Sequence, residues 1–175
     1  MKAVVYCDKD LKVHPTLIAW LLQIMDWEDI LFHRGGMRDA SVDLNHGVVR
    51  ALETQDEDLL FAECDIEPTI KGTQPILDSD LDLVSVKYPT ECGERSWPAD
   101  GFHVGLWRTK REIITDIGLP LFKWPTTPDG AKMQGCRCTR LADKARKLGY
   151  TVGHAGEAGH TPRPTGNAKS LRIKI

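Results

Sequence analysis

Two groups of side chains in this 175-residue sequence could hold a cation. The first is Glu63-x-Asp65, which directly follows the apolar run Leu59-Leu60-Phe61-Ala62 and is closed off by Pro68. Two carboxylates one residue apart at a strand terminus can turn toward one ion, and their hard oxygens suit magnesium or manganese bridging a diphosphate. The same pair also serves as an ordinary polar turn ending a strand. The second group is Cys136-x-Cys138 with His154 and His160, four donors of types that zinc accepts. Cys-x-Cys departs from the usual two-residue spacing, and packing or solvent thiols are the plainer reading of the two cysteines.

An acidic pair acquires meaning only from the elements that present it. Residues 2–7 alternate as a strand, and Pro15 opens a helix whose Leu17, Ile18, Leu21, Leu22 and Met25 recur at helical spacing. Ile30-Leu31-Phe32 reads as a second strand, residues 40–54 as a second helix, and residues 58–64 as a third strand too apolar to alternate. A β-α-β-α-β opening predicts a parallel sheet with right-handed crossovers, and such sheets bind ligands at the carboxyl ends of their strands. Glu63 and Asp65 stand at one of those ends. Further along we expect a short helix beginning at residues 76–79, a strand at 81–87, a long loop at 88–101, a strand at 104–107 and a helix at 109–117 stopped by Gly118. A second long loop covers 119–135, and a helix over 138–148 sets Leu141, Ala142, Ala145 and Leu148 on one face before Gly149. A short strand begins at Tyr150. Loops of this length in a small domain tend to be functional. Trp97, Trp107 and Trp124, in or beside them, either stack on a sugar ring or anchor the loops and core.

The bulk composition sets outer bounds. Hydrophobic residues make up 41% and charged residues 27%, an ordinary globular balance, so one domain is expected over 1–162 with a basic tail at 163–175. No run approaches a membrane span, the first residues read as a strand and not a signal peptide, and five scattered cysteines fit a reducing compartment, so a cytoplasmic location is expected. Residues 1–100 carry 9 Lys and Arg against 20 Asp and Glu, whereas residues 101–175 carry 14 against 5. This asymmetry reads either as two oppositely charged halves packing together or as an acidic metal site facing a basic wall for an anionic ligand. Neither a recognition helix nor an aromatic platform is evident, so nucleic acid is not expected as a partner.

The order of these parts resembles the family-two-like GT-A glycosyltransferases. The likeness rests on Arg38 through Asn45, Val48, Ala51 and Leu52, then Leu59-Leu60-Phe61-Ala62-Glu63-Cys64-Asp65-Ile66-Glu67-Pro68, similar to a helix followed by a strand ending in Asp-x-Asp, a hydrophobic residue and proline. It continues through Asp82-Leu83-Val84-Ser85, Gly105 to Ile113, Ile117 to Phe122, Lys144 to Tyr150 and a closing Gly159-His160. The resemblance implies an α/β GT-A-like nucleotide-diphospho-sugar transferase fold with a mixed, mostly parallel central sheet flanked by helices. It further implies a nucleotide-diphospho-sugar donor, Mn2+ or Mg2+, and an acceptor that is a glycan, a protein or a small molecule; a homo-oligomer is compatible with it. Glu63, Asp65 and His160 are then the expected metal shell, and Lys9, Lys12, Arg38 and Asp65 the expected nucleotide or phosphate contacts. Two departures stand out. Glu63 replaces the first acid of Asp-x-Asp, and the register puts Cys138-Thr139 where the family places the acidic pair supplying a catalytic base. Neither side chain is a general base near neutral pH without special tuning, which leaves Asp129 or Asp143 as substitutes. A relative that binds a nucleotide or carbohydrate without catalysis is the competing expectation, and a zinc-stabilised interaction domain a third.

Overall fold

The structure, a computed structural model, describes residues 1–7, 9–35, 40–88, 102–123, 137–160 and 171–172. The first half runs β1 (Lys2–Cys7), β2 (Lys12–Val13), α1 (Pro15–Ile24), β3 (Ile30–Arg34), α2 (Ala40–Glu53), β4 (Asp58–Glu63), β5 (Ile66–Glu67) and α3 (Ile70–Asp78). The second runs β6 (Leu83–Lys87), β7 (Leu106–Lys110), α4 (Arg111–Ile117), α5 (Arg137–Lys147), β8 (Val152–Glu157), β9 (Gly159–His160) and β10 (Leu171–Arg172).

Six of these strands form one sheet in the order β3-β1-β4-β7-β6-β8. β1 lies parallel to β3 and β4, and β6 parallel to β8, while β7 runs antiparallel between β4 and β6. The sheet is therefore mixed and mostly parallel. The carboxyl ends of β1, β4 and β6 and the amino end of β7 share one edge, where side chains distant in sequence can meet.

Alternation along the strands divides the core into two layers. Val4, Tyr6, Leu59, Phe61, Leu83 and Trp107 face α2, α4 and α5, packing with Leu44, Val48, Ile113, Ile114, Leu141 and Ala145. Ala3, Val5, Leu60, Ala62, Val84 and Leu106 face α1 and α3 and pack with Leu17, Trp20, Leu21 and Ile76. Each leucine-sized side chain so buried is worth roughly 1.5–3 kcal/mol. Trp107, beside a long loop, is fully buried and stacks on Phe61 with ring centroids 4.2 Å apart and planes within 12°. Its role is core packing and not sugar stacking.

Two elements differ from the sequence expectation for identifiable reasons. α3 begins at Ile70, capped by the Thr69 hydroxyl accepting the Gly72 N–H at 3.1 Å, although Pro75 within it removes a helical N–H. The glycines nearby serve close packing: Gly156 has φ +84°, and a Cβ there would fall 2.1 Å from the Gly72 carbonyl oxygen. β7 runs to Lys110 instead of giving way to a helix at Thr109, because Thr109 pairs with both Leu59 and Leu83.

Candidate functional site

Backbone bonds on three sides hold the turn between β4 and β5. The Glu63 N–H donates to the Gly105 carbonyl at 2.7 Å, the Cys64 N–H to the Tyr6 carbonyl at 3.0 Å, and the Cys64 carbonyl accepts the His14 N–H at 2.7 Å. His14 also caps α1, its Nδ1 accepting the Thr16 N–H at 3.4 Å, while its Nε2 lies 3.8 Å from Glu67 Oε1. Glu63 and Asp65 are thus carried on a segment fixed to β1, β7 and the start of α1.

β5 pairs antiparallel with β9, placing Ile66 opposite His160 and Glu67 opposite Gly159. This register brings His160 Nε2 to 3.7 Å from Asp65 Oδ2, with both side chains only 14% exposed. The Tyr88 ring packs beside His160 at 5.5 Å between centroids and beside His103 at 5.5 Å. Burial first, and then the charges of Glu63, Cys138 and Asp65, hold the Tyr88 phenol well above its usual pKa, partly opposed by the Gly105 N–H. Burial and the Glu63 charge act the same way on Tyr6, whose hydroxyl donates to the Leu44 carbonyl at 3.0 Å. The Glu63 charge thus acts on both phenols in the same direction. Tyr88 and His103 join this edge without any motif that announced them; their common signal is position at strand ends that the topology gathers.

His154 belongs to an adjoining buried group. Its Nδ1 is 2.9 Å from the Ser85 hydroxyl, which accepts the His103 N–H at 2.9 Å, and the two imidazoles stack at 6.2 Å. Burial, with smaller contributions from His103 and Lys87, pushes the His154 imidazole down to about 4 against the opposing Ser85 bond. Ser85 is fully buried, so this pair is structural and not a nucleophile with its base. Cys138 is buried in the core, Cys136 lies outside the described residues, and among the described residues no three His, Cys, Asp or Glu side chains converge to hold a metal.

The other candidates fall in several places. Lys12 is exposed, 3.9 Å from Asp10, and the Lys9 carbonyl accepts Arg34 Nε–H at 2.7 Å. Both follow the carboxyl end of β1, and β2, which carries Lys12, is paired with β10 from the basic tail. Asp143 is exposed and 3.7 Å from Arg146, whereas the buried face of α5 carries Cys138, Leu141, Ala142 and Ala145. Arg38 and Asp129 lie outside the described residues. An open depression of about 530 Å³, lined by Glu57, Asp58, Lys110, Arg111, Glu112, Thr115 and Asp116, sits at the opposite end of β4. Its Arg111 guanidinium is occupied by backbone carbonyls, and none of the candidate residues lines it.

No protein-family model matches the chain, and no curated protein matches it in sequence. Solved structures do share its fold. A197 from STIV matches 100% of this chain and 99% of its own with a TM-score of 0.63 at 16% identity. Glucosyl-3-phosphoglycerate synthase from Mycobacterium tuberculosis, solved in complex with Mn2+, uridine diphosphate and phosphoglyceric acid, matches 93% of this chain and 72% of its own with a TM-score of 0.54 at 15% identity. A candidate nucleotide-diphospho-sugar transferase from Desulfovibrio desulfuricans G20 matches 92% and 83% with a TM-score of 0.53 at 9% identity. The chain has a GT-A-like fold, that of nucleotide-diphospho-sugar transferases. Among the described residues, no helix is long and apolar enough to cross a membrane.

Proposed function

We propose that this protein is a metal-dependent glycosyltransferase that moves a sugar from a nucleotide-diphosphate donor to a glycan, protein or small-molecule acceptor in the cytoplasm. One observation carries the reading: at the edge of the GT-A-like sheet where β1, β4 and β6 end, the β5–β9 pairing brings His160 within 3.7 Å of Asp65. A carboxylate oxygen and an imidazole nitrogen suit Mn2+, and a site with few protein ligands leaves positions for diphosphate oxygens. Asp65 and His160 are the residues that would hold the ion, with Glu63 completing the acidic turn. The chemistry such an ion would supply when bound is charge neutralisation at the leaving diphosphate.

The chain's own groups supply the rest. The backbone bonds to Gly105, Tyr6 and His14 keep the acidic turn in place, so little ordering is required when the donor arrives. Lys9, Lys12 and Arg38 are assigned to the phosphates or nucleotide. Asp129 or Asp143 is assigned to deprotonating the acceptor, and Asp143 has to part from Arg146 to do so.

A second reading, a nucleotide- or carbohydrate-binding relative without catalysis, is favoured by Cys138, a buried thiol at the first turn of α5 where the resemblance puts an acid. Isothermal titration with UDP, GDP and UDP-glucose, with and without Mn2+, tests what the two readings share. Mn2+-dependent binding that Glu63→Ala/Asp65→Ala abolishes is the expected result, and no binding by the wild type to any of the three sinks both the transferase and the nucleotide-binding form of the second reading. Given binding, release of glucose or its transfer to an acceptor separates enzyme from binder.

A further inference from the structure

Tyr88 directly follows β6 and is buried. Its ring meets His160 at 5.5 Å, tilted by 43°, and meets His103 at 5.5 Å with planes at 66°. Its hydroxyl oxygen accepts the Gly105 N–H at 2.9 Å. On the other side of that residue, the Gly105 carbonyl accepts the Glu63 N–H at 2.7 Å. One phenol thus touches both halves of the candidate site: the imidazole through its ring, and the backbone of the acidic turn through its hydroxyl by way of one residue. Position 105 permits this only as glycine, since a Cβ there would fall 2.4 Å from the Tyr88 hydroxyl oxygen.

We propose that Tyr88 is a positioning residue for the cation pair, its ring seating the His160 imidazole beside Asp65 and its hydroxyl fixing the backbone link that carries Glu63. This rests on reading Asp65 and His160 as the cation-holding pair of a nucleotide-diphosphate site. The two functions separate by substitution: Tyr88→Phe keeps the ring and loses the hydroxyl, and Tyr88→Leu loses both. Losing a buried hydroxyl also destabilises a fold, so a control is needed. Thr109→Val supplies it, because the buried Thr109 hydroxyl donates to the Asp82 carbonyl at 2.9 Å near the far end of β7.

The experiment measures Mn2+-dependent UDP binding by titration and, in metal-free protein, hydrogen exchange of the Gly105 and Glu63 amides. Tyr88→Phe is expected to weaken binding about tenfold and to speed exchange at both amides by a similar factor, with Tyr88→Leu weakening binding roughly another tenfold. Thr109→Val should change neither. Tyr88→Phe behaving like Thr109→Val in both measurements overturns the proposal. Should the wild type bind no UDP with Mn2+, the nucleotide-diphosphate reading falls by that result, and unchanged exchange at Gly105 and Glu63 in Tyr88→Phe overturns the positioning role independently.

Discussion

At the amino end of β4 carboxylates meet cations, whereas at its carboxyl end they meet phenols and imidazoles. Asp58 lies 3.7 Å from Arg108, and Asp56 sits 3.2 Å from the amino group of Met1 and 3.9 Å from Lys2. Beside them the Arg111 guanidinium donates to the carbonyls of Leu52 and Asp56 at 2.7 and 2.9 Å, and also to that of Thr54, which closes the chain leaving α2. At the other terminus Asp65 has a histidine for a partner, and the charge of Glu63 falls on Tyr6 and Tyr88. Fixed cations neutralise carboxylates permanently and secure the fold. On the reading proposed above, the carboxyl end is where a ligand cation would join these neighbours.

If the ends divide their labour in this way, substitutions should separate stability from ligand binding. Arg111→Ala is expected to have the largest effect, because it removes a charged donor from several partly buried carbonyls. Urea unfolding should show a loss of about 3–4 kcal/mol. The folded fraction should keep its Mn2+-dependent UDP affinity to within about twofold, as expected for independent sites. A parallel fall in affinity would show that the two ends are coupled and would break the comparison.

His160→Ala should do the reverse. Removing one member of a largely buried His–Asp contact shifts unfolding by about 1–2 kcal/mol, while Mn2+-dependent UDP affinity falls on the order of a hundredfold if the imidazole helps hold the ion. Titration calorimetry beside urea unfolding checks both. A loss of stability with unchanged affinity in the folded fraction would assign His160 to folding alone.

The same division explains what could be read from the sequence. β1, α1 and β4 were legible because their signals are local: alternation, helical spacing after Pro15, and an apolar run ended by acids. α3 was legible only past Pro75, since proline argues against a helix unless the packing around Gly72 and Gly156 is known. β8, Val152–Glu157, contains two glycines and lacks apolar alternation, so its place beside β6 depends on the fold. In the site, the acidic turn was visible as spacing, and His160 came from the family resemblance. The pairing of β5 with β9 that joins them is non-local, as are the contacts that bring in Tyr88 and His103. Trp107, which composition left open between sugar and core, was decided by Phe61 on the neighbouring strand.

A pH series refines the comparison at the imidazole-rich end. His154 is held at about 4 in the folded protein against an ordinary value of 6.5, chiefly by burial. A histidine depressed by folding binds its proton more readily in the unfolded chain, so its contribution is complete above about pH 6.5 and is lost as pH falls through about 4. His103 and His33, both lowered by burial, act in the same direction. After a discount for partial exposure, roughly 2 kcal/mol should disappear between pH 7 and pH 4 through His154. His154→Asn should flatten that slope in urea unfolding. A slope identical to the wild type's would move the acid sensitivity to other groups.

The smallest expected effect tests whether the acidic edge has a basic counterpart. Lys12 is exposed and only 3.9 Å from Asp10, a surface pair whose loss in Lys12→Ala should alter stability by less than about 0.5 kcal/mol. If its ammonium also meets donor phosphate, UDP affinity should fall about two- to fivefold at low salt, and the difference from wild type should shrink as salt screens the charge. Equal UDP affinities for wild type and variant at low ionic strength would return Lys12 to ordinary surface and shift the search for phosphate contacts to Lys9 and Arg38.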